Sequence, residues 1–131
     1  MIIGIGTDLC DIRRIETALE RHGERFMKRV FTEVEIARAK RRPHRTASSL
    51  AMSFAAKEAC SKALGTGFRR GVYHNTMGVV YQPSGKPDMV LIDGALKRLE
   101  ELTPDGKIAS VYVTLTDEYP LANAVVVISA D

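Results

Sequence analysis

Phe54-Ala55-Ala56-Lys57-Glu58-Ala59-Cys60-Ser61-Lys62-Ala63-Leu64-Gly65-Thr66-Gly67 reads as one helix and its stop. Ala55, Ala56, Ala59, Ala63 and Leu64 are strong helix formers, because their side chains lose little freedom on a helical backbone. Gly65-Thr66-Gly67 supplies the left-handed backbone freedom that a helix C-terminus uses. At about 100° per residue, Glu58 and Lys62 fall one turn apart on one face, with Phe54 above them and Ser61 and Gly65 beside them. Two readings of that face stay open. One is an ordinary Glu–Lys pair worth a few tenths of a kcal/mol; the other is a carboxylate and an amine held out to a ligand.

Upstream, the pattern predicts two or three further helices. Residues 12–30 carry Ile15, Leu19, Phe26 and Val30 on one stripe, and Arg14, Arg21, Arg25 and Lys28 on another. Asp11 or Thr7 can cap this helix, and Gly23 marks a kink or break in it. Thr32 with Glu35 three residues on is a capping box for a helix that Pro43 ends. Thr46 or Ser48 starts the long helix that carries the 54–67 segment. Ahead of all these, Ile2-Ile3-Gly4-Ile5-Gly6 reads as a short buried strand ending at Thr7-Asp8.

Downstream the period changes to that of strands. Met77–Tyr81 and Met89–Ile92 flank a breaker-rich turn, Gln82-Pro83-Ser84-Gly85-Lys86-Pro87. Asp93–Leu102 is a short amphipathic helix, and Ala109–Leu115 and Ala122–Ser129 form a hairpin joined through residues 116–120. The expected class is α+β, with helices packed against a mainly antiparallel sheet. A length of 131 residues predicts a single domain over 1–131.

The composition narrows the function classes. Hydrophobic residues make up 45% and charged residues 27%, the balance of a globular protein with its own core. No apolar run approaches the ~20 residues of a membrane span, so no membrane partner is expected. Two cysteines, Cys10 and Cys60, suggest reduced thiols and a cytoplasmic location rather than a disulfide framework. The net charge is +3, but residues 13–45 hold eleven Lys/Arg against five Asp/Glu. That block points to an anionic partner. The aromatics within it, Phe26 and Phe31, read as core, and no recognised nucleic-acid motif is present, so nucleic acid is not the expected partner.

His22, His44 and His74 are scattered, with no zinc-type spacing, and each reads as an ordinary structural or surface residue. No Walker-type phosphate loop occurs, since Gly65-Thr66-Gly67 follows a helix rather than preceding one. What remains is Asp8 at a strand end and Glu58 on the long helix. Asp8 alone is equally a site residue or a cap. If the two meet, they suit Mg²⁺, which takes one or two protein carboxylates and gives its other positions to water and phosphate oxygens. Lys62 would then direct its charge at the same phosphates.

Ile3-Gly4-Ile5-Gly6-Thr7-Asp8-Leu9 through Arg14-Ile15, followed at this distance by Phe54-Ala55-Ala56-Lys57-Glu58-Ala59 and Lys62-Ala63-Leu64-Gly65-Thr66-Gly67, resembles the holo-[acyl-carrier-protein] synthases. These are the small, bacterial-type branch of the 4′-phosphopantetheinyl transferases. The resemblance spans the whole chain and includes Gly85-Lys86-Pro87 and Val113-Thr114-Leu115-Thr116-Asp117-Glu118.

It implies a 4′-phosphopantetheinyl transferase-like fold. It also implies Mg²⁺-dependent transfer of 4′-phosphopantetheine from coenzyme A to a serine of apo acyl carrier protein, with release of adenosine 3′,5′-bisphosphate, in fatty-acid biosynthesis. By the same carry-over, Asp8 and Glu58 are the Mg²⁺ ligands, and Glu58 and Lys62 are catalytic. Phe54, Ser61, Lys62, Gly65 and Thr66 line the coenzyme, and Gly85, Lys86 and Pro87 its nucleotide side. Arg14, Arg21 and Arg25 dock the acidic carrier, and the protein is a homotrimer with sites at subunit interfaces. Two departures stand out. Met52-Ser53 replace basic residues found in many relatives, so one coenzyme phosphate contact is either missing or supplied by Arg45, Arg69 or Arg70, and Asp117 stands where some relatives have histidine.

Overall fold

Gly4 and Gly6 decide how the two halves of the site meet. The structure, a computed structural model, describes all 131 residues. Strand β1 (Ile2–Asp11) lies under helix α4 (Thr46–Ala63). A Cβ on Gly4 would collide with the Ala63 carbonyl, and one on Gly6 with the Ala59 carbonyl and the Ala63 amide. With no side chain between them, the helix backbone rests directly on the strand. Because Gly4 meets the helix at Ala63 and Gly6 meets it at Ala59, Asp8, two residues on and on the same face of β1, is carried back along the flank of α4 to Glu58 and Lys62.

Between β1 and α4 the chain makes three shorter helices. They are α1 (Ile12–His22), α2 (Glu24–Val30) and α3 (Glu33–Lys40). Asp11 caps α1 by accepting from the Arg13 amide. The predicted 12–30 helix breaks at Gly23, whose φ of 49° ends α1 and starts α2. The Thr32–Glu35 capping box opens α3 as expected. After α4 come β2 (Met77–Tyr81), β3 (Pro87–Leu91), α5 (Asp93–Leu102), β4 (Ala109–Glu118) and β5 (Leu121–Ala130).

The architecture is α+β. Strands β1, β5 and β4 form an antiparallel sheet with β5 central, and β2 and β3 form a separate antiparallel pair. Ala122, Ala124, Val126, Ile128 and Ala130 alternate along β5 and are all buried on the helix side. The opposite face is open: Ile5, Leu9 and Tyr112 are 66%, 61% and 54% exposed.

Three expectations need correction. β1 does not end at Thr7-Asp8 but runs to Asp11, because β5 pairs with it as far as Leu121 opposite Asp11. Nor is it buried on both sides, since its glycines, not its isoleucines, face the helix. Thr116-Asp117-Glu118 belong to β4 rather than to the hairpin connection, paired with Asn123, Ala122 and Leu121. A sheet with one open face accepts such polar residues along a strand.

Candidate active site

Helix α4 is buried nearly all round over its second half. Ala55, Ala56, Lys57, Ala59, Cys60, Ser61 and Ala63 are buried, and Phe54, Glu58 and Lys62 form the strip that reaches solvent. A Glu and a Lys on the single open strip of a core helix are not a solvated surface pair. Lys62 does not pair with Glu58. Its Nζ donates to Asp8 Oδ1 at 3.1 Å and to the Thr7 carbonyl at 3.0 Å. The β1 backbone here is fixed from β5, where Asn123 donates its amide to the Asp8 carbonyl at 2.8 Å.

Asp8 and Glu58 are close enough to act on one another electrostatically. The Glu58 carboxyl is raised above its ordinary value, first by burial and then by the charge of Asp8, while Lys62 and Arg14 oppose the shift. Two hard oxygen donors that repel one another beside a lysine suit a divalent ion better than they suit each other. They are the whole anionic set, because no group of three or more His, Cys, Asp and Glu side chains is placed to enclose a metal. The remaining positions of any ion held here would fall to water and to a phosphorylated ligand, as Mg²⁺ prefers. The thiols take no part. Burial pushes Cys10 up to about 11 and Cys60 up to about 12, so both stay protonated at neutral pH.

The other residues expected at the site divide into several groups. Phe54 lies on the wall beside Glu58, stacked on His74 with ring centres 5.5 Å apart, and His74 stacks in turn on Phe68 at 4.1 Å. Gly65 and Gly67 adopt φ of 79° and 62°, and Arg98 Nε donates to the Leu64 carbonyl at 2.9 Å behind them. Thr66 turns its hydroxyl onto the Gly67 carbonyl. Ser61 is a correction: it is 1% exposed, and its hydroxyl donates to the Glu58 carbonyl at 2.7 Å. It faces the core and is not on the site surface.

Gly85 and Pro87 lie on a separate cavity of about 410 Å³, whose walls carry Arg38, Arg41, Arg42 and Arg45. Lys86 is exposed in the same turn. Arg38 stacks its guanidinium 3.5 Å over the Tyr81 ring, and Arg45 is held by Asp117 at 2.7 Å. Of the three arginines expected to replace the missing basic pair at Met52-Ser53, Arg45 lines this cavity, whereas Arg69 and Arg70 do not. Arg38, Arg41 and Arg42 were visible in the sequence as charge, but nothing there placed them against Gly85.

Arg14 and Arg21 line a shallow groove on α1 with Arg13 and His22. Arg25, predicted on the same stripe, is exposed on α2 beyond the Gly23 break and is not part of that groove.

Sequence reasoning also missed a buried charge pair under the site. Lys57 Nζ lies 2.6 Å from Glu35 Oε1, both side chains having no exposure, and donates to the Val30 carbonyl at 2.7 Å and the His74 carbonyl at 3.3 Å. Glu35 accepts from the Thr32 and Val79 amides. Burial draws Lys57 below its ordinary value and Glu35 opposes this. The capping box had marked Glu35, but only for its local role.

The chain as a whole is similar to known proteins. The sequence profile of the 4′-phosphopantetheinyl transferase superfamily matches residues 4–124. A holo-[acyl-carrier-protein] synthase of Mesorhizobium japonicum is 59% identical over 99% of this chain and 94% of its own. The crystal structure of the Neisseria meningitidis holo-[acyl-carrier-protein] synthase superposes with a TM-score of 0.84 at 34% identity, covering 98% of this chain and 99% of that one. The Helicobacter pylori synthase in complex with coenzyme A gives 0.79 at 30% identity, covering 95% and 99%.

Proposed function

The chain belongs to the 4′-phosphopantetheinyl transferase superfamily and is a phosphopantetheine-transferring enzyme, and on that premise we propose the details of its reaction. Coenzyme A is the donor, and a serine of apo acyl carrier protein is the acceptor. Asp8 and Glu58 hold a Mg²⁺ ion. The observation that carries this reading is the meeting of Asp8, Glu58 and Lys62, made possible by the side-chain-free contact of Gly4 and Gly6 with α4.

In this reading the serine hydroxyl attacks the phosphorus that bears the pantetheine. A new oxygen–phosphorus bond forms, and the bond to adenosine 3′,5′-bisphosphate breaks. Lys62, which now spends its ammonium on Asp8 and the Thr7 carbonyl, turns it to the pyrophosphate when the coenzyme enters. Glu58 orients the water that accepts the serine proton. When bound, the ion neutralises the pyrophosphate and stabilises charge on the leaving phosphate. Phe54, Gly65 and Thr66 line the coenzyme near the helix end, and Gly85, Lys86 and Pro87 its nucleotide. The arginine-walled cavity beside Gly85 supplies the cationic partners that Met52-Ser53 lack. Arg14 and Arg21, with Arg25 at the margin, meet the acidic carrier.

The open sheet face bearing Ile5, Leu9 and Tyr112 supports self-association, since exposed apolar patches mark interaction surfaces, and the resemblance makes the assembly a homotrimer. Sedimentation equilibrium at three times the mass of one chain checks it. No helix is long and apolar enough to cross a membrane. Incubation with apo acyl carrier protein, coenzyme A and Mg²⁺ should raise the carrier mass by one phosphopantetheine group. No increase with several carriers, or an equal increase with Mg²⁺ chelated, would overturn the corresponding part of the reading.

A further inference from the structure

His74 Nε2 is the one buried side-chain nitrogen or oxygen in the molecule without a hydrogen-bond partner. Unpaired buried polar atoms are uncommon enough that each calls for a reason. The nearest carboxylate is that of Glu58, with Oε1 3.9 Å away. This is beyond hydrogen-bond length, which is about 2.9 Å, but within the reach of a turn about the Glu58 side-chain torsions.

The imidazole is held in that orientation from two directions. Its ring lies between Phe54 and Phe68, nearly parallel to both, with interplanar angles of 24° and 23°. Its own carbonyl accepts from Lys57, which Glu35 anchors in the core. A residue serving only to fill the gap between two phenyl rings needs no nitrogen directed at a site carboxylate. Glu58, by contrast, has no hydrogen bond to its carboxylate from any other residue of its helix or of β1, since Lys62 is spent on Asp8 and Thr7.

We propose that His74 is a positioning residue for Glu58: its Nε2 hydrogen-bonds the Glu58 carboxylate and sets the angle at which that carboxylate meets the ion and the coenzyme phosphates. This rests on Glu58 being a ligand of the divalent ion. Partners of metal-ligating carboxylates fix orientation in this way, and their removal typically costs about 10–100-fold in metal affinity.

Mn²⁺ serves as the probe, titrated into the protein with coenzyme A present and carrier absent, and free Mn²⁺ is read by its paramagnetic resonance. His74→Phe keeps a flat ring between Phe54 and Phe68 but removes both nitrogens. It should weaken Mn²⁺ binding about 10-fold with the melting temperature unchanged, and His74→Gln, which restores a donor, should recover part of the loss. Mn²⁺ binding by His74→Phe equal to that of the unsubstituted protein overturns the proposal and leaves the ring as packing. Glu58→Ala is run alongside. If it too binds Mn²⁺ undiminished, the ligand reading itself falls, and the proposal with it. Should His74→Phe fail to fold, the ring nitrogen resonances of His74 are compared between the unsubstituted protein and Glu58→Gln. A displaced Nε2 signal supports the hydrogen bond; an unmoved one overturns it.

Discussion

Lys57 and Lys62 stand on the same helix and pair with different carboxylates in opposite surroundings. Lys57 and Glu35 are sealed from water, and between them they bond four backbone groups from the α2 end, the α3 cap, β2 and the turn before it. Lys62 and Asp8 sit at the edge, 53% and 18% exposed, and Glu58 beside them has no lysine or arginine within salt-bridge distance, only the imidazole of His74 at 3.9 Å, which burial and Lys57 keep toward its neutral form. The first pair is saturated and can only hold the fold. The second is unsaturated and can exchange partners, as the proposed binding of phosphate and metal requires. Electrostatics alone does not make a charged pair functional; spare bonding capacity at a solvent edge does.

The comparison breaks first at Lys57. Lys57→Ala leaves Glu35 charged and buried with its best partner gone, which costs about 3–5 kcal/mol. That is a large part of the ~5–15 kcal/mol by which a domain is stable. Lys62→Ala loses a half-exposed pair worth no more than about 1 kcal/mol, yet it should impair turnover. Urea unfolding of the two variants measures the gap. Equal destabilisation would show that burial does not separate the pairs.

Asp8→Ala and Glu58→Ala should each reduce kcat/KM by at least about 100-fold, the scale of removing one fixed charge contact from a transition state, while circular dichroism stays unchanged. Glu58→Gln sharpens the point through stability. The Glu58 carboxyl is raised in the folded chain by burial and Asp8. Between its ordinary and its raised value, the folded state therefore binds more protons than the unfolded one. Stability falls as pH climbs from the ordinary glutamate range through the raised value, and the cost is fully present above it. Glu58→Gln removes that cost, so at pH 7 without metal it should unfold at a higher urea concentration while being inactive. A lower unfolding midpoint would mean that Glu58 contributes to the scaffold, as Lys57 does.

Gly6→Ala tests whether the edge pair depends on close packing. The added methyl meets the α4 backbone at Ala59 and Ala63, and forced overpacking of this kind costs about 1–3 kcal/mol. Activity should fall further than stability explains, because lifting α4 from β1 parts Lys62 from Asp8. Activity loss no greater than the unfolded fraction would show that the site tolerates the shift.

Much of this was legible in the sequence, for identifiable reasons. Elements fixed by local chemistry came out with near-correct ends: α5 over Asp93–Leu102, β2 over Met77–Tyr81, and the Thr32–Glu35 box. Asp8 and Glu58 were legible as a pair through the two motifs that resemble a known family. What stayed hidden depended on distant partners. Lys57 looked like any helix lysine because Glu35 lies on another helix, and His74 looked incidental because Phe54, Phe68 and Glu58 surround it only in the folded chain. Ser61 was misplaced for a related reason. Periodicity gives its angle beside Glu58, but only the packing of α4 against the core shows that this angle is already inside. The extra length of β1 and β4 was set by pairing with β5, which no local preference reports.

The smallest effect concerns charges that belong to neither pair. Arg14 and Arg21 share a groove on α1, and exposed charges mainly speed encounter with an acidic partner. Arg14→Glu with Arg21→Glu should weaken carrier binding about 10-fold at low salt, with the gap closing as salt shortens the Debye length toward 3 Å near 1 M. The KM for coenzyme A should move far less. The two positions are not equivalent, however. Arg14 already acts on Glu58, opposing the rise of its carboxyl, so Arg14→Glu also disturbs the Asp8–Glu58 edge and should change the pH dependence of turnover. Arg21→Glu alone should leave that dependence intact and lower carrier affinity only. Arg25→Glu, beyond the Gly23 break and outside the groove, should matter least of the three. If Arg25→Glu matches Arg21→Glu, the carrier surface crosses the break, and the exposed charges act as one field rather than as a site.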